Sequence, residues 1–272
     1  MHRTEMVNKY LKILNLDNRE LDFDFLCQLV SRHLATFAFS SVGCLLGHDL
    51  PLDFDSLFSR ILVNRRGGYC FEHNGFFYEI LEELGFSPEL YLARVIYGQD
   101  THPGLTHRLS IVKCQGQSYV LDVGFGPYCP RVPVPMSGAE TNDGHKVFRI
   151  HEKRQGEYHI QVLKDNDFFS LYRFELARYG QSDCEIGHFY SHRHPDAPLV
   201  NLLVASRVLG NETRLLNNLE YSVSRGNKKE TIQVSSSQQL IQILTKELDI
   251  QITDEEGRQL YQGLSAKKTK LF

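Results

Sequence analysis

The sequence predicts an α+β protein, and three observations predict it. Apolar side chains recur at helical spacing over the first eighty-five residues. From about residue 86 the chain alternates as strands do, and beyond residue 195 the two textures mix. Runs of helix kept apart from runs of strand mark this class, whereas repeated strand–helix units would mark a parallel sheet. At 272 residues and 42% hydrophobic content the chain can bury a sizeable core in two or three subdomains. We expect them at 1–85, 86–195 and 196–272.

The first expected helix runs from Met6 to Leu14, and a longer one from Phe23 to Phe39 keeps the same period. Pro51 and Asp53 are start signals for a short helix from Asp53 to Val63. A fourth helix opens at Cys70, carries Phe76, Phe77, Ile80 and Leu81 on its apolar stripe, and stops at Gly85. Leu90 to Tyr97 then alternates as a strand. Leu105 to Lys113 and Ser118 to Val123 form an expected hairpin joined at Cys114-Gln115-Gly116-Gln117. Four of the nine prolines fall between Pro127 and Pro135, which makes that segment an irregular edge. Further strands are expected at Lys146–Ile150, Glu157–Lys164 and Phe168–Glu175, and a short helix at Asp183–Ser191. Strands near Leu202–Val208, Glu220–Val223 and Glu230–Val234 and helices at Ser235–Glu247 and Asp254–Leu264 close the chain.

Composition removes several function classes. A net charge of −3 with scattered basic residues gives no electrostatic footprint for nucleic acid or an anionic membrane. No apolar run reaches the eighteen or so residues of a membrane span. No secretory signal is visible after Met1, and six dispersed cysteines without a C-x-x-C pair fit reduced thiols and a cytoplasmic protein. Oligomeric state is left open.

The chemistry concentrates at Arg66-Gly67-Gly68-Tyr69-Cys70-Phe71-Glu72-His73-Asn74. Cys70 falls in the first turn of its helix, where the positive end of the helix dipole lowers a thiol's pKa. The glycines leave backbone N–H groups free to face a reacting carbonyl oxygen. A thiol nucleophile needs a base and a group that orients the base. His107 and Asp122, near the same end of the expected hairpin and paired or nearly so, could supply both. Taken alone, each has a structural alternative: the chain has twelve histidines, and an aspartate before Gly124 is a common turn former. The combination carries the assignment. Cys70-x-x-His73 offers at most half a metal site, no further ligands stand at suitable spacing, and His73 is expected at a helix surface or pocket wall. His188, His192 and His194 read as a polar segment, so no metal is expected.

The nucleophile segment, with Thr106-His107-Arg108-Leu109 and Leu121-Asp122-Val123-Gly124-Phe125-Gly126 after it, resembles the motifs of the arylamine N-acetyltransferases. The resemblance implies a papain-like core with an N-terminal helical bundle, a central antiparallel β-barrel bearing His107 and Asp122, and a C-terminal α/β lid. It implies acetyl-CoA as co-substrate with no tightly bound cofactor, a small aromatic amine or hydrazine as acceptor, and a ping-pong cycle through an acetylated Cys70. It also implies a pocket that includes Phe39, Tyr69, Phe71, Val95, Phe125, Gly126 and Leu199; residues contacting CoA are not indicated. Arg66 and Glu72 match positions with structural roles in the family.

Two departures stand out. Where relatives carry Pro-Phe-Glu-Asn-Leu, this chain has Ala38-Phe39-Ser40-Ser41-Val42, so the glutamate expected to pair with Arg66 is missing. Leu199 stands where an aromatic is usual. The rival expectations are a papain- or transglutaminase-like cysteine amidohydrolase, which shares the Cys…His…Asp order, and an inactive arylamine- or CoA-binding module.

Overall fold

A computed structural model describes residues 2–17, 20–226 and 228–269. Helices α1 (Arg3–Ile13), α2 (Phe23–Thr36), α3 (Val42–Leu45), α4 (Phe54–Leu57) and α5 (Cys70–Leu84) form the N-terminal part, with α4 running on as a π-helical turn over Phe58–Val63. Asp22 caps α2 by accepting the Phe25 N–H, and Asp53 caps α4 by accepting that of Ser56. The α5 stripe of Phe76, Phe77, Ile80 and Leu81 is fully buried against Leu26, Leu29 and Tyr10. At about 25 cal/mol per Å² of apolar surface, side chains of this size contribute roughly 2 kcal/mol each on leaving water. That packing sets the position of Cys70 at the helix start.

An eight-stranded antiparallel sheet follows. In spatial order its strands are Val134–Pro135, Gln117–Leu121, His107–Cys114, Pro88–Val95, Asp167–Glu175, Glu157–Lys164, Val147–Arg154 and Thr141–Asn142. Val134–Pro135 also packs near Val147–Arg154, so the sheet curls into a nearly closed barrel. A second sheet stacks Phe39–Ser40, Val204–Leu209, Glu212–Asn217, Glu220–Arg225 and Lys228–Gln233. Helices at Ser237–Gln242 and Asp254–Thr269 cover it, and a helix at Gln181–Arg193 links the two sheets. The architecture is the expected α+β arrangement, with the helix that begins at Cys70 set against a barrel.

The differences from expectation have local causes. The Phe23–Phe39 helix stops at Thr36, because Phe37 turns extended and Phe39–Ser40 pairs with Ser206 and Ala205 instead. Strand Glu212–Asn217 went unforeseen: its alternation is masked by Glu212 and Arg214, which are paired with each other. The one-turn helices Val42–Leu45 and Pro198–Asn201 are too short to show a period. In the hairpin, the ladder ends at Ser110↔Leu121. Asp122 therefore stands one step beyond its strand and reaches diagonally back to His107, the nearly paired form of the expected arrangement.

Candidate active site

Cys70 is the first residue of α5, and Tyr69 caps the helix from an extended conformation. Glu72 closes this start by accepting the Tyr69 N–H at 3.1 Å, with its other oxygen held by Arg60 at 2.5 Å. Cys70 is buried, 7% exposed, and its thiol donates to the Thr106 carbonyl at 3.4 Å. Thr106 directly precedes His107, so the thiol lies beside the base expected for it.

Asp122 organises the centre. Its Oδ2 accepts from His107 Nε2 at 2.8 Å and from the Tyr172 hydroxyl at 2.9 Å. Its Oδ1 accepts from Asn74 Nδ2 at 2.8 Å and from the Gly124 N–H at 2.9 Å. Because a carboxylate only accepts, His107 carries hydrogen on Nε2 and keeps Nδ1 as its basic nitrogen. Burial works against the charge on Asp122. The facing His107 and the bonds from His107, Asn74 and Gly124 outweigh it and hold the carboxyl below its usual range. Burial and the same carboxylate push the Tyr172 hydroxyl up, so it stays a donor.

The thiol departs from expectation. The helix dipole argument predicts a depressed pKa, but burial is the larger effect and, with the charge of Asp122, pushes the Cys70 thiol up. The N–H groups of Phe71 and Arg108 pull the other way without reversing it. Burial thus disfavours the thiolate at rest, and forming it requires a partner to take its proton.

Asn74 ties the pieces together. One turn after Cys70, its amide also donates to the Arg108 carbonyl at 2.6 Å and accepts the Val123 N–H at 2.9 Å. It thus joins α5 to both the His107 strand and the Asp122 loop. That loop comes so close that a Cβ on Gly124 would lie 2.7 Å from the Cys70 Cα and from Asn74 Nδ2. Asn74 sits on the face of Cys70 at i+4, a helical spacing that could have singled it out. Tyr172 lies on a distant strand and carries no local signal.

The expected pocket residues divide in two. The Phe125 ring meets His107 edge-on at 4.9 Å and Tyr172 at 5.0 Å. Gly126 faces the Phe39 ring, and Phe39 and Leu199 pack against the cluster that contains Cys70. Val95 pairs with Tyr172 across the barrel strands. Tyr69 and Phe71 are fully buried and pack on His188, which bonds the Tyr69 hydroxyl at 2.5 Å. His188 and His192 are accordingly buried, where a polar segment was expected, and burial lowers His188 to about 3. His73, expected at a surface or pocket wall, is fully buried against His33.

Arg66 finds its missing partner far down the chain. It forks Glu256 and bonds the Gln251 carbonyl, while the Ser40 position contributes no carboxylate. Among the described residues no helix is long and apolar enough to cross a membrane.

A family model for N-acetyltransferases matches residues 22–256. The arylamine N-acetyltransferase of Mycolicibacterium smegmatis is 30% identical over 258 residues, covering 92% of this chain and 93% of the relative. That of Escherichia coli (strain K12) is 30% identical over 223 residues, covering 80% and 79%. The solved arylamine N-acetyltransferase of Salmonella typhimurium superposes with a TM-score of 0.91 at 26% identity, over 97% of this chain and 100% of that one. The Mycobacterium marinum enzyme in complex with CoA gives 0.88 at 25%, over 94% and 98%. With sequence and fold matched over most of its length, this chain belongs to the arylamine N-acetyltransferase family.

Proposed function

We propose that this chain transfers the acetyl group of acetyl-CoA to small arylamines, arylhydrazines or arylhydroxylamines by a ping-pong cycle through an acetylated Cys70. The observation that carries the proposal is the buried His107–Asp122 pair at 2.8 Å beside a thiol at a helix start. The family relationship supports it, as does a Salmonella typhimurium relative named as an arylamine N-acetyltransferase and N-hydroxyarylamine O-acetyltransferase.

In the first half-reaction His107 Nδ1 takes the Cys70 proton as the sulfur attacks the thioester carbonyl. Asp122 keeps its charge and holds the imidazolium, compensating the burial that otherwise keeps the thiol neutral. Backbone N–H groups beside Cys70 receive the developing oxyanion. Collapse of the tetrahedral intermediate breaks the bond to the CoA sulfur, which leaves with the proton from His107. In the second half-reaction the amine attacks the acetyl-cysteine, His107 takes the amine proton, and Cys70 is released as a thiol. Phe39, Val95, Phe125, Gly126 and Leu199 form the acceptor wall, with Tyr69 and Phe71 packed behind it.

Residues 1–85 thus bring the nucleophile, 86–195 the base and its carboxylate, and 196–272 the cover. We place the enzyme in the cytoplasm and in the metabolism of foreign aromatic amines.

The test is intact-protein mass after mixing with acetyl-CoA alone, beside Cys70→Ala. One acetyl adduct, absent from Cys70→Ala and discharged by an added arylamine, is the expected result. No adduct on a thiol that still reacts with iodoacetamide would replace this function with the amidohydrolase alternative. An unreactive thiol would replace it with the binding module.

A further inference from the structure

The loop that delivers the nucleophile is held from the far end of the chain. Arg65 has φ 50° and Gly67 φ 69°, so two of the four residues ahead of Tyr69 are left-handed. For Arg65 that conformation is strained and persists only where surrounding bonds enforce it. On one side they come from the 38–40 strand: the Ser40 N–H donates to the Gly68 carbonyl at 2.6 Å. On the other they come from residues 251–256. The Gln251 N–H donates to the Arg65 carbonyl at 2.7 Å, and Arg66 Nη1 donates to the Gln251 carbonyl at 2.8 Å.

Glu256 completes this second side. Its two oxygens accept from Arg66 Nη1 at 2.9 Å and Nη2 at 2.5 Å, the planar two-point geometry that fixes orientation as well as distance. The carboxylate is itself immobilised, since Oε2 also accepts the Thr253 N–H at 2.7 Å while Thr253 Oγ1 accepts the Glu256 N–H at 3.2 Å. The fork from Arg66 and these bonds hold the carboxyl at about 2, so it is ionised across the working range. The opposite side offers no equivalent. Ser40 packs so closely that a Cβ on Gly67 would lie 2.7 Å from the Ser40 Cβ.

We propose that Glu256 is a positioning residue for the nucleophile: through Arg66 it fixes the 65–68 loop, and with it Tyr69 and the first turn of the Cys70 helix. The C-terminal segment is then part of the catalytic scaffold as well as a cover. The proposal rests on Cys70 as the nucleophile.

The experiment is the second-order rate of Cys70 alkylation by iodoacetamide, read with the melting temperature. The variants are Glu256→Gln, Arg66→Gln, their double mutant, Glu256→Asp and Asp249→Asn. Alkylation needs no acetyl-CoA, so a wild-type protein that alkylates but takes no acetyl group overturns the proposed function and leaves this test intact. Glu256→Gln and Arg66→Gln should each slow alkylation about tenfold, with the double mutant far short of the roughly hundredfold product, because the Arg66–Glu256 fork is lost in all three. Glu256→Asp, with the charge kept and the reach shortened, should slow it about threefold, and it decides the matter if the glutamine variant does not fold. Asp249 meets Arg65 at 3.7 Å and Arg207 at 3.9 Å on the same segment. Asp249→Asn should lower the melting temperature without changing the alkylation rate. Lowered melting temperatures with unchanged alkylation in all Glu256 variants, or additive losses in the double mutant, would overturn the proposal.

Discussion

His107 and His33 are equally covered, 1% and 0% exposed, but only one of them sits beside a buried carboxylate. His107 faces Asp122, which accepts four hydrogen bonds, three from different elements and one from its own loop. His33 sits in a chain with one sense. The His73 Nε2–H donates to the Ala38 carbonyl at 3.0 Å, and the His33 Nε2–H donates to His73 Nδ1 at 2.9 Å. Tyr10 hydroxyl donates to His33 Nδ1 at 3.1 Å. With both rings neutral, as burial favours, the carbonyl that can only accept fixes every hydrogen in this chain. An added proton would have to reverse the chain and bring a charge into a dry interior. Burial therefore lowers His33 and brings His73 to about 4. Burial alone does not separate a catalytic histidine from a structural one; the neighbouring charge does.

Removing that charge should break the contrast most completely. Asp122→Asn keeps the shape of the site but can no longer favour an imidazolium, and it leaves His107 free to take the wrong tautomer. Iodoacetamide alkylation of Cys70 at neutral pH and kcat/KM should both fall about 10³-fold or more, with far-ultraviolet dichroism unchanged. Alkylation within threefold of wild type would remove Asp122 from thiol activation.

Geometry comes next. Gly124→Ala places a methyl group 2.7 Å from the Cys70 Cα and Asn74 Nδ2, so the Asp122 loop must retreat from the nucleophile helix. We expect about a hundredfold loss of kcat/KM, from misplacement on the ångström scale. A stability cost of about 1–3 kcal/mol in urea denaturation should accompany it. The bonds of His33 run to Tyr10 and His73 and reach neither Cys70 nor the Asp122 loop, so a substitution at His33 should not reproduce the activity loss. Tyr172→Phe removes one of four bonds to Asp122 and leaves the charge. Alkylation should slow about threefold to tenfold, the net scale of one ordinary hydrogen bond, and no change would show that the other three donors suffice.

The same two sites differ in how much of them the sequence displayed. Cys70, Asn74, His107 and Asp122 lie inside three short motifs, and the order of helices and strands around them followed from apolar periodicity. The hairpin was legible, but its register was not: one position of uncertainty decides whether Asp122 pairs with His107 or reaches diagonally. Tyr172 joins the site only through barrel closure, and Glu256 meets Arg66 from the opposite end of the chain. No local pattern encodes such contacts. His73 was misjudged because the first two turns of the helix that carries it, Cys70 to Phe77, are buried on every side, polar residues included. The thiol was misjudged because a helix terminus was weighed without the cost of burying the charge.

The smallest effect on activity should come from His33→Leu, and it gives the sharpest view of the neutral chain. Alkylation of Cys70 should stay within about twofold of wild type, because His33 touches neither the thiol nor the Asp122 cluster. At pH 7.5 the variant should be less stable by about 1–3 kcal/mol, since Tyr10 and His73 each lose a partner. Its pH dependence carries the test. A histidine whose folded pKa lies below the unfolded value of about 6.5 binds more protons unfolded than folded, so stability falls as pH drops below 6.5. The loss approaches about 1.4 kcal/mol per pH unit for each such group and continues down to its folded pKa, which for His73 is about 4. Leucine cannot take up that proton. The deficit of His33→Leu, measured by urea denaturation between pH 7.5 and 4.5, should therefore shrink as pH falls. A deficit that stays constant over this window would mean that His33 takes up its proton as readily in the folded protein as in the unfolded chain, and the one-way chain of donors would have to be abandoned.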